Sequence, residues 1–165
     1  MINLPQTEKR NYLDTLLNTL PIAINPEGEN NPIIESSSIL TDKTGIENLK
    51  WGWTGGFDCF QFLSATIYRL ITGSNDLEAI LRHAQIPDFR DSYQVVIPQE
   101  LDYIFYCKGS NMQPVHAGLM VSETEVMSKW GIMSGPFIHK IEDVPGCYGS
   151  RAFFVRSNTN LQKLL

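Results

Sequence analysis

The stretch GGFDCFQF, residues 55–62, decides how this chain is read. Two glycines lead into an aspartate, a cysteine and then an apolar run. Asp58 followed three residues later by Gln61 has the form of a capping box, in which each side chain accepts from the other residue's backbone N–H. The box opens a helix expected over residues 58–73, where Cys59, Phe62, Leu63, Ile67 and Leu70 recur at helical spacing and Gly73 is a C-terminal stop. Cys59 is then the first residue inside that helix. Its sulfur lies beside unpaired backbone N–H groups and the positive end of the helix dipole, which favours the thiolate. The same N–H groups are placed to hold an oxyanion. Gly55 and Gly56 permit a tight turn and close approach of a substrate. This is how a nucleophilic cysteine is mounted.

Working outward, residues 7–20 predict another helix. Thr7 caps it, Tyr12, Leu16, Leu17 and Leu20 share a face, and Pro21 ends it. Residues 24–50 are rich in Pro, Gly, Asn and Ser and read as a long irregular segment. A short helix is expected at about residues 76–84. After Ser92 the period changes. Residues 93–98, 101–109, 115–122, 125–131, 135–141 and 151–157 look like short strands joined by turns, with SETE (residues 122–125) at a hairpin tip. Helices followed by a run of strands argue for an α+β fold, with helices packed on an antiparallel sheet of about five strands.

A length of 165 residues favours a single domain, here with residues 1–50 as an N-terminal extension and residues 51–156 as the core. The composition, 42% hydrophobic and 19% charged, is that of an ordinary globular chain rather than a disordered one. A net charge of -5 without a basic stripe argues against a nucleic-acid partner. No apolar run reaches bilayer length and no basic-then-apolar leader is visible, so no membrane association and a cytoplasmic location are expected. Cys59, Cys107 and Cys147 have no CxxC spacing and read as reduced thiols, Cys107 buried in a strand and Cys147 in a turn. The histidines His83, His116 and His139 show no recognised metal-ligand spacing, and no P-loop, GxGxxG or GxSxG motif occurs. No cofactor or metal is implied.

A thiol nucleophile needs a base. His116, in QPVHAGLMV, stands at the start of a strand-like run well downstream. FDCFQF, then HAGLMVSETEVMSKWG, resembles the NlpC/P60 superfamily of compact papain-like cysteine peptidases and amidases; FIHKIEDVPGCYG and the closing strand add to the likeness. The resemblance covers roughly residues 51–156. It implies a papain-like fold in which Cys59 attacks an amide, peptide or related acyl carbonyl, while His116 takes the thiol proton and returns it to the leaving amine. One departure stands in the motif itself: Phe60 and Gln61 occupy the positions of Ser and Gly in the family's usual DCSGFV.

The resemblance also implies a polar residue that orients the imidazole, about a dozen residues beyond the base, which points to Ser128. Hairpin register decides its face, because a slip of one residue exchanges Ser128 and Trp130 for Lys129 and Gly131 beside His116. His139, on the next strand, is the alternative third member. Trp51, Trp53 and Trp130 are candidates for lining a substrate groove, and Tyr148 marks a turn packed on the sheet. The partner expected is a peptide or other amide-containing substrate. A non-catalytic module of the same fold that binds a peptide or protein is the alternative from another class. An effector or toxin deamidase using the same Cys59 and His116 is the third.

Overall fold

The computed structural model describes residues 1–19, 47–48, 58–74, 76, 91–110, 112–131 and 136–158. The short helix expected near residues 76–84, the irregular segment apart from residues 47–48, and Trp51, Trp53 and His83 lie outside these. Among the described residues the chain is α+β. Helix α1 (Glu8–Thr19) and helix α2 (Cys59–Thr72) accompany an antiparallel sheet. The strands are β1 (Ile2–Asn3), β2 (Glu47–Asn48), β3 (Ser92–Val95), β4 (Tyr103–Lys108), β5 (Gln113–Met120), β6 (Glu125–Lys129), β7 (Pro136–Lys140) and β8 (Arg151–Ser157). They run in the order β1-β8-β4-β5-β6-β7-β2, with β3 also on β8. The sheet is therefore wider than the five strands expected. The short strands β1 and β2, which carry little alternation to read, pair with β8 and β7 at the ends of that path.

Strand alternation sorts the sheet into two faces. Tyr103, Phe105, Ala117, Leu119, Met127 and Val155 pack with Phe62, Leu63, Ala65 and Ile67 of α2. Ile104, Tyr106, Met120, Val126, Ala152 and Phe154 form a second cluster on the other face, with Leu4 and Val144. On α1, Leu17 of the expected face packs beside Leu13, Trp130 and Phe137, and Tyr12 is half-buried, while the Leu16 side chain and Leu20 lie outside the described residues. The helix also buries Arg10, which periodicity alone does not suggest.

Arg10 is fully buried, and its guanidinium donates to the carbonyls of Leu4, Pro5, Val144, Pro145 and Gly149. Burial lowers its pKa, but five fixed N–H donors aimed at carbonyl oxygens keep a buried guanidinium satisfied. The side chain thereby ties α1 to the N-terminal arm and to the 3-10 turn at Gly146–Tyr148. Arg10→Leu should destabilise the fold by about 3 kcal/mol or more, because several buried carbonyls lose their donor at once. Arg10→Lys should recover little of this, since an ammonium lacks the planar fork. Urea unfolding of both variants checks this, and a loss under 1 kcal/mol for the leucine variant would remove Arg10 from this role.

Candidate active site

The expected capping box is present at the start of α2. Asp58 Oδ1 accepts from Gln61 N at 2.8 Å, and Gln61 Oε1 accepts from Asp58 N at 3.0 Å. Gly73 closes the helix in the left-handed region, with φ of 64°. Cys59 is therefore the first helical residue, half-buried, and its sulfur faces the backbone N–H groups of Ala117, Cys59 and Phe60. The expected depression of its pKa is not found. Burial pushes the thiol up to about 11; those N–H groups oppose the push and the Asp58 carboxylate adds to it.

His116 lies on β5, opposite Tyr106 of β4. Ser128 of β6 pairs with Gly118, and His139 of β7 pairs with Val126. Two-residue alternation puts His116, Ser128 and His139 on one face of the sheet. The register that places Ser128 and Trp130 on the His116 face is thus the one adopted. Gly118 keeps the space between strands open there: a Cβ on it would stand 2.5 Å from Val126 Cγ1 and 3.0 Å from Ser128 Cβ.

The two candidates for a third member prove to be consecutive links of one chain. His139 Nδ1 is 2.7 Å from the Lys140 carbonyl, which only accepts, so Nδ1 carries the proton. His139 Nε2 then has a lone pair and accepts from Ser128 Oγ at 2.8 Å. Having spent its one proton, Ser128 Oγ accepts from Trp130 Nε1–H at 3.0 Å and from His116 Nε2 at 3.1 Å. His116 is consequently the Nε2–H tautomer. Its Nδ1 bears a lone pair, is buried, and has no hydrogen-bond partner among the described residues. Burial lowers His116 well below the ordinary histidine value, with His139 as a further cause, and burial takes His139 down to about 4.

The direct hydrogen bond expected between Cys59 and His116 is absent, since Nδ1 is unpartnered. Alternation explains this. Ala117 packs in the α2 core, so the His116 ring before it projects to the opposite face, where Tyr148 stacks on it at 3.9 Å between ring centroids. The polar group of β5 that acts on the Cys59 sulfur is instead the backbone N–H of Ala117, which lowers the thiol pKa against the larger push of burial. Trp130, expected at a groove, is 3% exposed. Its indole is held by Ser128 and packs on Phe137 and His139, so it seals the relay from solvent rather than lining a groove.

Two neighbours of the site were not singled out for it from the sequence. Lys129, on the face toward α2, is fully buried, donates to the Gly131 carbonyl at 2.7 Å, and is pushed down to about 8 by burial. The charges of Cys59 and Asp58 oppose that push, which puts its ammonium within electrostatic reach of the sulfur. Tyr148 was expected only to pack, and it covers the imidazole. Their signals were the alternation beside Ser128 and an aromatic in a Pro-Gly turn, neither of which points to a site by itself. Cys107 is buried, with its sulfur 3.4 Å from the Met112 carbonyl, and Cys147 is exposed in the 3-10 turn. No described helix is long and apolar enough to cross a membrane.

Two outcomes follow from these environments. A histidine whose folded pKa is depressed binds fewer protons in the folded state than in the unfolded one. Its stabilisation is complete above about pH 6.5 and is lost as pH falls toward the folded value. For His139 that window runs from 6.5 down to about 4, a loss of roughly 3 kcal/mol, and His116 adds to it. Urea midpoints measured from pH 7 to pH 4.5 should fall, and His139→Gln should shallow the slope; equal slopes in both proteins would contradict the assignment. The raised thiol predicts that iodoacetamide alkylates Cys59 more slowly at pH 7.5 than it alkylates a free thiol of ordinary pKa, with the rate still climbing above pH 9. A rate that levels off below pH 8 would mean that the thiolate is already favoured.

Compared with known proteins, the chain is matched by no family model, no curated protein and no solved structure.

Proposed function

We propose that the chain is a thiol hydrolase of the papain-like, NlpC/P60 type, in which Cys59 is the nucleophile and His116 the base. One observation carries this. A hydrogen-bond chain anchored on the Lys140 carbonyl ends in a buried, unpartnered lone pair on His116 Nδ1. That nitrogen belongs to the residue just before Ala117, whose N–H faces the Cys59 sulfur. The thiol lies on the α2 side of β5 and the neutral imidazole on the opposite side, joined through the Ala117 peptide, with the acceptor side of the ring fixed by Ser128.

The chemistry starts from the neutral pair. Attack requires the sulfur and the His116 ring to come together from the two sides of β5; the thiol proton then passes to His116 Nδ1 as the S–C bond forms to the carbonyl carbon of an amide or ester. Electron density collects on the carbonyl oxygen, and the backbone N–H groups of Cys59 and Phe60 at the helix terminus are placed to receive it. The bond to the amine or alcohol then breaks, and His116 gives its proton to that leaving group. Water repeats the sequence on the acyl-cysteine, releasing a carboxylic acid and the free thiol. Ser128 and His139 hold the ring as it becomes cationic.

A second reading, a binding module without turnover, is favoured by the raised Cys59 pKa and by Phe60 and Gln61 beside the nucleophile. Intact-protein mass spectrometry separates the two. With p-nitrophenyl butyrate the wild-type chain should gain one butyryl group, mapped to Cys59, and Cys59→Ala should gain none. His116→Ala should slow acylation by about 100-fold or more, the usual worth of a general base. Ser128→Ala should slow it less and also lower stability, since three buried polar groups lose a partner. Wild-type protein with no acyl adduct on Cys59, or acylation that His116→Ala leaves unchanged, would leave the binding module as the reading.

A further inference from the structure

On the α2 side of the sheet an open pocket of about 570 Å³ is lined by Phe60, the residue after Cys59. Phe60, Phe105, Pro114, Phe153 and Val155 form its apolar wall, and Phe105 stacks on Phe153 at 5.4 Å between centroids. Among the described residues its polar lining is uncharged: the side chains or backbone of Ser92, Gln94 and Gln113, with Tyr93. Two of the lining residues connect it in sequence to the proposed chemistry. Phe60 is bonded to the nucleophile, and Pro114 lies two residues before the base on β5.

We infer that this cavity binds a linear aliphatic acyl chain whose carbonyl lies at Cys59. The inference rests on the hydrolase reading for what happens to that carbonyl, and on the cavity alone for the binding. The described lining carries no charge, which disfavours a charged side group, because burial of an ion without a partner is costly. Size selects among apolar groups. A cavity of roughly 150 Å³ already holds a benzene ring, so a single aromatic or aliphatic amino-acid side chain would leave most of this one empty. Its volume is that of a small-molecule site. The substrate class is then a fatty-acyl ester, thioester or amide. The bond broken joins the acyl carbon to oxygen, sulfur or nitrogen, and the products are a fatty acid and the protonated leaving group. The position held by Gln61 and Phe60, where the NlpC/P60 pattern has small residues, thereby acquires a use: Phe60 becomes part of the acyl wall.

The test separates binding from turnover. Binding is read with Cys59→Ala protein and 11-(dansylamino)undecanoic acid, displaced by free fatty acids from C4 to C14. Displacement should strengthen by roughly fourfold per methylene until the cavity is filled. Phe153→Ser should weaken the probe at least tenfold. A decanoate carrying a diazirine should crosslink to peptides containing Phe60, Phe105 or Phe153, a location that does not depend on any variant folding. Turnover is read with wild-type protein and p-nitrophenyl acetate, butyrate, octanoate and decanoate, where kcat/KM should rise with chain length. Chain-length-dependent binding without acylation of Cys59 upholds the acyl site and sinks the hydrolase reading. Acylation equally fast from acetate and octanoate, or crosslinks confined to other peptides, overturns the acyl site and leaves the hydrolase reading standing. Absence of both binding and acylation overturns both.

Discussion

The Ser128 hydroxyl is the constraint on which the site depends. It has one proton and three partners, His139 Nε2, Trp130 Nε1 and His116 Nε2, all within 3.1 Å. Only one distribution of protons satisfies them, and the Lys140 carbonyl selects it by requiring a proton on His139 Nδ1. A buried network that is fully satisfied specifies one arrangement, whereas each unmade bond in it would cost about 1–3 kcal/mol. Two histidines with no exposure to spare are thus held neutral, and the single lone pair left over is the one beside the peptide that Cys59 touches.

Sheet geometry decides how that lone pair meets the sulfur. Helix α2 lies on the face of Ala117 and Leu119, and the histidine relay lies on the other, beneath Tyr148. Cys59 sits at the helix end, where one residue of a strand separates the two faces. Arg10 fixes the relay's cover from the far side, because the turn that carries Tyr148 is fastened to α1 by guanidinium bonds to Pro145 and Gly149. Stability and site geometry are therefore linked through one buried cation that takes no part in the chemistry.

Much of this was legible in the residues. Asp58, Gln61 and Gly73 mark both ends of α2 because capping is local and needs no tertiary information. Alternation located β4 to β8, and it offered two registers for Ser128; β6 is buried on both faces, so only its pairing with β5 and β7 settles one. What the sequence withheld was anything that depends on contact across the sheet. Arg10 reads as a surface residue of an amphipathic helix until its five carbonyls are assembled from distant segments. Trp130 reads as a groove aromatic until Ser128 is seen to accept its N–H. Ser128 and His139 read as rivals because their linkage is visible only once β6 and β7 are paired.

The thiol shows the same limit as a competition of magnitudes. A helix N-terminus favours a negative group by about 0.3–1 kcal/mol, or about 2 kcal/mol in favourable partly buried geometries. Displacement of the Cys59 pKa from 9.0 to about 11 corresponds to roughly 2.7 kcal/mol against the thiolate, even with three N–H groups facing the sulfur. Burial therefore outweighs the helix terminus. In the proposed hydrolase, a substrate that covers the sulfur with an apolar chain would remove further water and penalise a preformed thiolate still more. Proton transfer to a neutral imidazole during attack would avoid that penalty, because charge is created only as the S–C bond forms. On that proposal, a base kept neutral by burial, with its ring nitrogen assigned by Ser128, would suit that sequence of events better than a standing ion pair.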